Sequence, residues 1–362
     1  MGTDEAVWQF LGSAFLLDTG NPNKHLGKVL DDEGQPVVFS LGQTAAIFPS
    51  KIKVGTQLPL RKHWFGKILA IRARTWQPSK KVKPARTPAQ KETQDPDVWV
   101  KINWFYSPTD VSKKIPGFQA RHCSEFERIY SDHSDIVSAL TFEAPIQVLK
   151  FCEDDPDQND IPDSSFFYRY FLKTSSKKYE LLVMQSSEHP EDLCLCHCPY
   201  NLRDTDLLRV MHMCPRPSCR RFYHRSCLLE FGYWGPTTDP FLRLLSCPDT
   251  DQAPSQLLSH KARSATFPSS TTTDVQLPHD LLTFAAQPIV RGAALPALGI
   301  TGNARDIVYA RRLVYAACQG ITVPDSWHDD FDLASVPVDF CLRVEETGES
   351  CMFACPNCRG PI

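Results

Sequence analysis

Closely spaced pairs of cysteine and histidine residues constrain the fold of this chain more than any other sequence feature. Structural zinc takes four thiolate or imidazole ligands in a tetrahedron, and two ligands a few residues apart on a tight turn can reach one ion. The second half of the chain contains four such pairs: Cys194/Cys196, Cys214/Cys219, His224/Cys227 and Cys355/Cys358. Eight ligands in four pairs predict two structural zinc ions, with two pairs at each ion.

Three further cysteines are alternative ligands by position: Cys198, Cys247 and Cys351. Cys355 and Cys358 are separated by two residues, which is a better spacing for a metal-binding turn than Cys247 or Cys351 offers. Scattered buried thiols are the competing interpretation, because free cysteine packs as a small apolar side chain. Chance rarely spaces eight ligands in this way, so the pattern favours the metal sites.

The bulk properties exclude several classes of protein. A chain of 362 residues with a formal net charge of −3 predicts two or three domains and no general affinity for nucleic acid. No apolar run approaches the roughly 20 residues that a membrane span needs, and the amino terminus has no signal pattern. We therefore expect no membrane partner, and we interpret the cysteines as reduced metal ligands, not disulfides.

The first half of the chain predicts a β-rich domain. Val98–Tyr106 is the clearest strand, and Trp104 and Tyr106 lie on the same face because side chains alternate along a strand. Other short apolar runs between turn residues predict further strands at 45–48, 66–71, 144–151, 166–172 and 179–183.

The segment 77–96 interrupts these strands. It contains five basic residues and four prolines with almost no apolar residue, a composition that cannot form a core. We interpret it as a flexible loop that could contact DNA phosphate, and a solvated insertion is the alternative.

The order of the eight ligands, with the histidine in fifth place, resembles that of a PHD finger. The central Cys219-x4-His224-x2-Cys227 is typical of that type. Because the pairs interleave in that family, the resemblance implies that the first zinc is held by Cys194, Cys196, His224 and Cys227. It implies that the second zinc is held by Cys214, Cys219, Cys355 and Cys358. Cys198-Pro-Tyr-Asn resembles the segment that follows the second ligand in related fingers, which leaves Cys198 out.

The preceding region resembles a BAH domain. The motifs that match are Trp104-Phe-Tyr106-Ser-Pro108, His122-Cys-Ser-Glu-Phe126, Ser131-Asp-His133-Ser-Asp135 and the strand 144–151. A BAH domain followed directly by such a finger is similar to the plant and fungal BAH–PHD chromatin readers. The resemblance implies an α+β chain in which a β-rich, barrel-like BAH domain is joined to a two-zinc, cross-braced PHD finger with a helical insertion.

The implied domain boundaries are 1–187 for the BAH domain, with its core at about 40–187, and 190–238 plus 351–360 for the finger. Residues 239–350 form the insertion, in which Leu277–Arg291 and Asn303–Gln319 are predicted to be helical. In the second helix, apolar residues recur at helical spacing, and Gly320 is placed to end it.

A methylated lysine keeps its positive charge but loses its N–H donors, so the matching site is a ring of aromatic faces. Trp104 and Tyr106 stand at i and i+2 on one strand and could flank one small cation. Trp64 is the predicted third wall, with Phe65 as the alternative. Ordinary core packing is the competing role for these aromatic residues.

The resemblance implies the same aromatic cage and assigns His133 and Asp135 to the histone peptide beside the lysine. For these two residues, a turn histidine and a helix cap are the alternative roles.

The sequence contains no glycine-rich phosphate loop and no nucleophile elbow, and zinc ions with four protein ligands leave no open position for catalysis. We therefore expect a protein that is not an enzyme. A RING-type ubiquitin ligase also interleaves two zinc ions, but its histidine comes earlier in the ligand order.

The resemblance implies a nuclear chromatin reader that binds the histone H3 tail on the nucleosome, through trimethylated lysine 27 in Polycomb-type repression. Methylated histone H4 is the nearest rival ligand, and a DNA-binding or assembly module without methyl-lysine reading is the rival of another class. A finger-centred reader of the H3 amino terminus or of lysine 4 is a further alternative. It is weakened because Phe222 stands where such fingers carry tryptophan.

Overall fold

The computed structural model describes residues 7–10, 14–16, 37–53, 56–75, 97–174, 178–183, 194–237, 239–251, 277–331, 342–343 and 350–362. The chain divides into two compact units. Unit 1 comprises Met1–Ala120, Glu125–Lys150 and Ser165–Val183. Unit 2 comprises Arg121–Ser124, Phe151–Ser164 and Met184–Ile362. Two short segments inside the expected BAH range therefore belong to the second unit, while the basic loop at 77–96 lies outside the described residues.

Unit 1 is built from strands. In its described residues these are β1 (Val7–Phe10), β2 (Ala14–Leu16), β3 (Val38–Ser40), β4 (Thr44–Ile47), β5 (Trp64–Thr75), β6 (Asp97–Tyr106), β7 (Glu127–Ser138), β8 (Phe142–Ile146), β9 (Leu149–Lys150), β10 (Phe167–Thr174) and β11 (Tyr179–Val183). The main sheet has the order β11-β10-β7-β6-β5-β4-β8, with β1 paired to β5 and β9 paired to β10. Neighbouring strands of this sheet are antiparallel, except that β10 runs parallel to both β7 and β9. A short helix, α1 (Pro108–Ser112), follows β6, and β2 pairs with β3.

The central strands bury both faces of the sheet. Val100 and Ile102 of β6 pack in one fully buried cluster with Ile68 and Ile71 of β5. The alternate residue Phe105 packs on the other side in a second cluster. Side chains alternate across a strand, so two apolar layers on β6 hold this strand in a fixed register. The segment 144–151 was expected to be one strand, but the chain changes partner within it, since β8 pairs with β4 and β9 pairs with β10.

A buried ion pair joins two neighbouring strands of this sheet. Arg169 of β10 donates from Nε to a carboxylate oxygen of Glu127 in β7 at 2.9 Å, and both side chains are completely buried. Charges in the interior are tolerated when they are paired and hydrogen-bonded, and removal of one partner leaves the other uncompensated.

We expect Glu127→Ala to lower the free energy of unfolding of unit 1 by about 3–5 kcal/mol, because the Arg169 guanidinium would stay buried without its carboxylate. Denaturant titration followed by tryptophan fluorescence measures this loss. The matched control is Lys113→Ala, which removes the exposed pair with Asp110 and should cost under about 1 kcal/mol. Similar losses for the two variants would contradict the expectation.

Unit 2 contains short elements. Its described strands are β12 (Met211–Cys214), β13 (Arg221–His224), β14 (Trp234–Pro236), β15 (Val290–Arg291), β16 (Leu342–Arg343) and β17 (Ser350–Phe353). Its α-helices are α2 (Arg225–Glu230), α3 (His279–Ala285) and α4 (Ala304–Cys318). The two sheets have the orders β13-β12-β15 and β14-β17-β16. Single 3₁₀ turns in the two units lie at Leu60–Lys62, Ala120–His122, Ala139–Thr141, Leu207–Arg209, Pro240–Leu245, Pro296–Leu298 and Trp327–Asp330.

The expected helix at Leu277–Arg291 is much shorter in the structure. It spans only His279–Ala285, and the chain then forms β15, which pairs with β12. Pro288 accounts for the difference, because proline lacks an N–H and disfavours helical geometry in the residue before it. The second expected helix is α4, after which Gly320 has φ of 85°. No helix in the described part of the chain is long and apolar enough to cross a bilayer.

Candidate functional site

The ends of β5 and β6 bring aromatic side chains together at one edge of the main sheet. We call Trp64, Trp104, Tyr106 and His133 the aromatic corner. In the antiparallel β5–β6 pair, Phe65 lies opposite Phe105 and Gly66 lies opposite Trp104. Continuing this register by one residue places Trp64 opposite Tyr106. The strand alternation predicted from sequence therefore puts Trp64, Trp104 and Tyr106 on one face.

The two indole rings of the corner form an edge-to-face pair. Their centroids are 5.6 Å apart and their planes meet at 87°. Trp64 keeps 45 % of its surface exposed, while Trp104 is partly buried and packs against the apolar cluster of β5 and β6. The alternative wall, Phe65, is only 1 % exposed and packs on Phe166, so it is a core residue.

Gly66 gives the Trp104 ring a neighbour without a side chain. A Cβ at this position would lie 2.6 Å from Cδ1 of Ile102 and 2.9 Å from Cδ1 of Ile47. These distances are shorter than a carbon–carbon contact allows, so a larger residue would displace the core beneath the corner. Sequence patterns did not predict this role of Gly66, because it depends on the register of two strands.

A bulge in β7 brings His133 to the corner. Asn103 pairs with Ser134 and Phe105 pairs with Tyr130, so Ser131, Asp132 and His133 lie opposite a single residue of β6, Trp104. Ser131 donates its hydroxyl to the Trp104 carbonyl at 2.7 Å. Asp132 accepts hydrogen bonds from the backbone N–H and the hydroxyl of Thr174. Bulges bend a strand and redirect its side chains, and this one directs His133 towards Tyr106.

Tyr106 makes polar and ring contacts with its neighbours. Its hydroxyl lies 2.6 Å from Nδ1 of His133, and the two rings are stacked with centroids 6.1 Å apart. The ammonium of Lys114 lies 5.7 Å from the Tyr106 ring centroid and 4.7 Å from that of Tyr179. This face of the unit thus already attracts a cation from its own chain.

Burial and nearby carboxylates keep the Tyr106 phenol in its neutral form. Burial raises the pKa of this phenol, and the negative charges of Asp110 and Asp135 raise it further. The phenol therefore stays protonated at neutral pH and available as a donor. Asp135 is exposed, and its carboxylate accepts a hydrogen bond from the N–H of Ile136. The sequence interpretation missed Lys114 and Asp110, although Ser107-Pro108 ahead of Asp110 is a recognisable helix start.

The predicted metal ligands form two compact groups in unit 2. Cys194, Cys196, His224 and Cys227 place their ligand atoms within 4.8 Å of one another, and so do Cys214, Cys219, Cys355 and Cys358. The first and third sequence pairs share one group, and the second and fourth share the other. Neither group, among the described residues, includes Cys198, Cys247 or Cys351.

Secondary structure explains how distant ligands meet. The β12–β13 hairpin carries Cys214 at the end of one strand and His224 at the end of the other. Helix α2 begins directly after His224 and carries Cys227. Strand β17 pairs with β14 and leads the chain back to Cys355, whose Sγ lies 3.4 Å from that of Cys219.

The ligand geometry fits zinc. With Zn–S bonds of about 2.3 Å, tetrahedral ligand atoms stand about 3.8 Å apart. Here Cys196 Sγ lies 3.3 Å from Nδ1 of His224, and Cys214 Sγ lies 3.5 Å from Cys358 Sγ. Burial lowers the pKa of His224 to about 4, helped by the charges of nearby arginines. The imidazole is therefore neutral at pH 7, which is the form that binds a metal.

The backbone conformation at the cysteine pairs also favours a metal at each group. The non-glycine residues with positive φ in the described chain are His197 (54°), Arg220 (44°) and Arg359 (59°). Each directly follows the second cysteine of a pair. A left-handed conformation is unfavourable for residues with a Cβ and persists where the surroundings require it. A metal held by the cysteine pairs would supply that requirement at all three turns.

Tyr223 supports the second group from outside. Its hydroxyl is 4.0 Å from Sγ of Cys219 and 3.9 Å from Sγ of Cys355. Burial raises the pKa of this phenol, and negative charge on the two cysteines raises it further. Tyr223 therefore stays a neutral phenol beside the two cysteine sulfurs, in the position of a side chain that surrounds metal ligands.

Comparison with known proteins gives matches among solved structures but none among family models or curated sequences. No protein-family model matches the sequence, and no curated protein matches it. Among solved structures, the chain is similar to the yeast Rsc2 BAH domain, with 14% sequence identity, 40% of this chain and 49% of that chain covered, and a TM-score of 0.22. The chain thus spans about half the length of the solved structure that it matches.

Proposed function

We propose that this protein is a non-catalytic chromatin reader, and that unit 1 is a BAH domain which binds a methylated lysine at the aromatic corner. The observation that carries the proposal is the perpendicular pair of indoles, Trp64 and Trp104, with Trp64 45 % exposed at the end of its strand. Two rings at right angles present two walls to one cation, and Tyr106 stands on the same face as a third aromatic residue.

The chemistry of the ligand follows from this environment. A trimethylammonium group has no N–H to donate, retains its charge and gains from contact with electron-rich ring faces, at about 0.5–2 kcal/mol for each good contact. Asp110 and Asp135 add negative charge near Tyr106.

The choice of methylation mark depends on the resemblance of the sequence to BAH–PHD readers. We therefore propose trimethylated lysine 27 of histone H3, a nuclear location and a role in Polycomb-type repression. His133, which is exposed and next to Tyr106, and Asp135, which is exposed on the same strand, are the proposed contacts to the peptide. Methylated histone H4 is the rival ligand for the same corner.

Unit 2 is proposed to be a cross-braced PHD finger with two structural zinc ions. The alternation of its four ligand pairs between two groups supports this assignment. We further propose that neither unit is an enzyme, because every position at each zinc is taken by a protein ligand. Ubiquitin transfer by the purified chain in the presence of the activating and conjugating enzymes would contradict this part of the proposal.

The reader proposal is tested by titrating the zinc-loaded full chain with H3 peptides centred on lysine 27. We expect trimethylated peptide to bind at least about tenfold more tightly than unmodified peptide, since each tenfold step corresponds to about 1.4 kcal/mol. Isothermal calorimetry gives both constants, and a methylated H4 peptide tests the rival ligand. Equal affinity for modified and unmodified peptides would reject methyl-lysine reading and favour an assembly or DNA-binding role.

A further inference from the structure

A buried arginine of unit 2 is held between aromatic rings beside the first metal group. The guanidinium carbon of Arg291 lies 3.7 Å from the ring centroid of Phe222 and 4.5 Å from that of Tyr200. The ring of Phe151 is 5.8 Å away. Arg291 itself is only 3 % exposed. A guanidinium stacked on aromatic faces in a dry site gains more than it would in water.

A carboxylate completes the surroundings of this cation. Arg291 donates from Nη2 to a carboxylate oxygen of Glu153 at 2.5 Å and from Nη1 to the Glu153 carbonyl at 3.1 Å. Both terminal nitrogens of the Arg291 guanidinium thus donate to Glu153, while the rings of Phe222 and Tyr200 lie against the guanidinium group. Aromatic faces and a carboxylate are the groups that bind a guanidinium side chain most strongly in proteins.

The position of Arg291 is enforced by its neighbours. Strand β15 pairs with β12, with Arg291 opposite Met211. The Asn303 side chain accepts from the N–H of Val290 at 2.7 Å and donates to the Pro288 carbonyl at 3.1 Å. Gly302 has φ of 75°, and a Cβ there would lie 2.0 Å from the Val290 carbonyl oxygen. Only glycine allows α4 to begin this close to β15.

We propose that Tyr200, Phe222 and Glu153 form a guanidinium-binding site whose ligand is the chain's own Arg291. Strand β15 of the insertion brings Arg291 into this site, so the proposed finger binds its own insertion at this face. External methylated lysine or arginine does not enter there in the intact protein. Methyl-lysine reading, where it occurs, belongs to the aromatic corner of unit 1.

The test is chemical rescue of the zinc-loaded full chain carrying Arg291→Ala. We expect this variant to lower the thermal midpoint of unit 2 by about 6–12 °C, because the buried ion pair between Arg291 and Glu153 is lost. Methylguanidinium at about 20 mM should restore about 3 °C or more by binding in the vacated site, and should leave the native chain unchanged. The ¹H resonance of its methyl group should move upfield under the Phe222 ring current.

Arg312→Ala is the matched control. Arg312 is 31 % exposed and pairs with Asp157 and Asp249, outside the ring site. Its response to methylguanidinium measures the general effect of the cosolute. Arg291→Ala combined with Phe222→Leu should reduce the rescue, because the apolar volume is retained but the ring is lost.

These experiments use no histone peptide, so they test the Arg291 site independently of the proposed reader function. A stabilisation of Arg291→Ala no larger than that of the control, or an unshifted methyl resonance, would overturn it. If Arg291→Ala does not fold, Arg291→Lys and Arg291→Met replace it. The proposal then requires a higher midpoint for lysine, which keeps a cation among the rings and Glu153, and equal or reversed midpoints would reject it.

Discussion

Removal of zinc is expected to unfold unit 2 and to leave the sheet of unit 1 folded. The two ligand groups join segments that are far apart in the chain, since Cys214 and Cys358 are separated by 144 positions and meet at 3.5 Å. Without a metal, four thiols or thiolates would be packed together with no compensating bonds. Binding of structural zinc contributes about 10–16 kcal/mol at neutral pH in small zinc domains, which is as large as the whole stability of an ordinary domain.

Emission spectrometry on the purified chain should find two zinc ions per molecule. A chelator should then remove the near-ultraviolet circular dichroism of unit 2 in step with the metal. Cys355→Ser should reduce the zinc content to one. Cys318→Ser is the matched control, because Cys318 is partly buried on α4 and belongs to neither group, so this variant should retain two ions. A metal-free chain with an unchanged spectrum would contradict the structural role of zinc.

The second large effect is expected at the aromatic corner. Trp64→Ala should reduce the affinity for trimethylated peptide by about tenfold or more, because one wall of the cation site is lost. The cost in stability should be small, since nearly half of Trp64 is exposed. Trp104→Ala should abolish the preference for the methylated peptide, but it should also weaken the core, because Trp104 packs against the cluster of β5 and β6.

Peptide titration and thermal unfolding of each variant separate binding from folding. Trp234→Ala is the matched control, since Trp234 is 43 % exposed and lies in unit 2, and it should leave peptide affinity unchanged. A Trp64→Ala chain that keeps its preference for the methylated peptide would place the reading site elsewhere.

Local patterns predicted the parts of this protein that depend on spacing along the chain. Alternation along Val98–Tyr106 placed Trp104 and Tyr106 on one face, and in the structure both are partly buried side chains near the end of β6. The helical spacing of Ile307, Ala310 and Val314 corresponds to the buried side of α4. Each of these features is set by the geometry of a single strand or helix, which a sequence specifies residue by residue.

Contacts between distant segments were beyond these patterns. Whether Trp64 or Phe65 lies beside Trp104 at the aromatic corner depended on the register between β5 and β6. The contact of Tyr106 with His133 depended on a three-residue bulge in β7. The capture of Arg291 by Phe222 and Tyr200 required β15 to pair with β12 across an insertion.

The sequence by itself determined the candidate site residues: eight potential metal ligands in four pairs, and two aromatic residues at i and i+2 of one strand. The tertiary structure alone decided which of these residues meet and which remain accessible. The physical reason is that register, bulges and the filling of a ring site by a buried cation are set by packing between elements distant in the chain. A pattern within one strand or helix contains no information about how that element packs against a distant one.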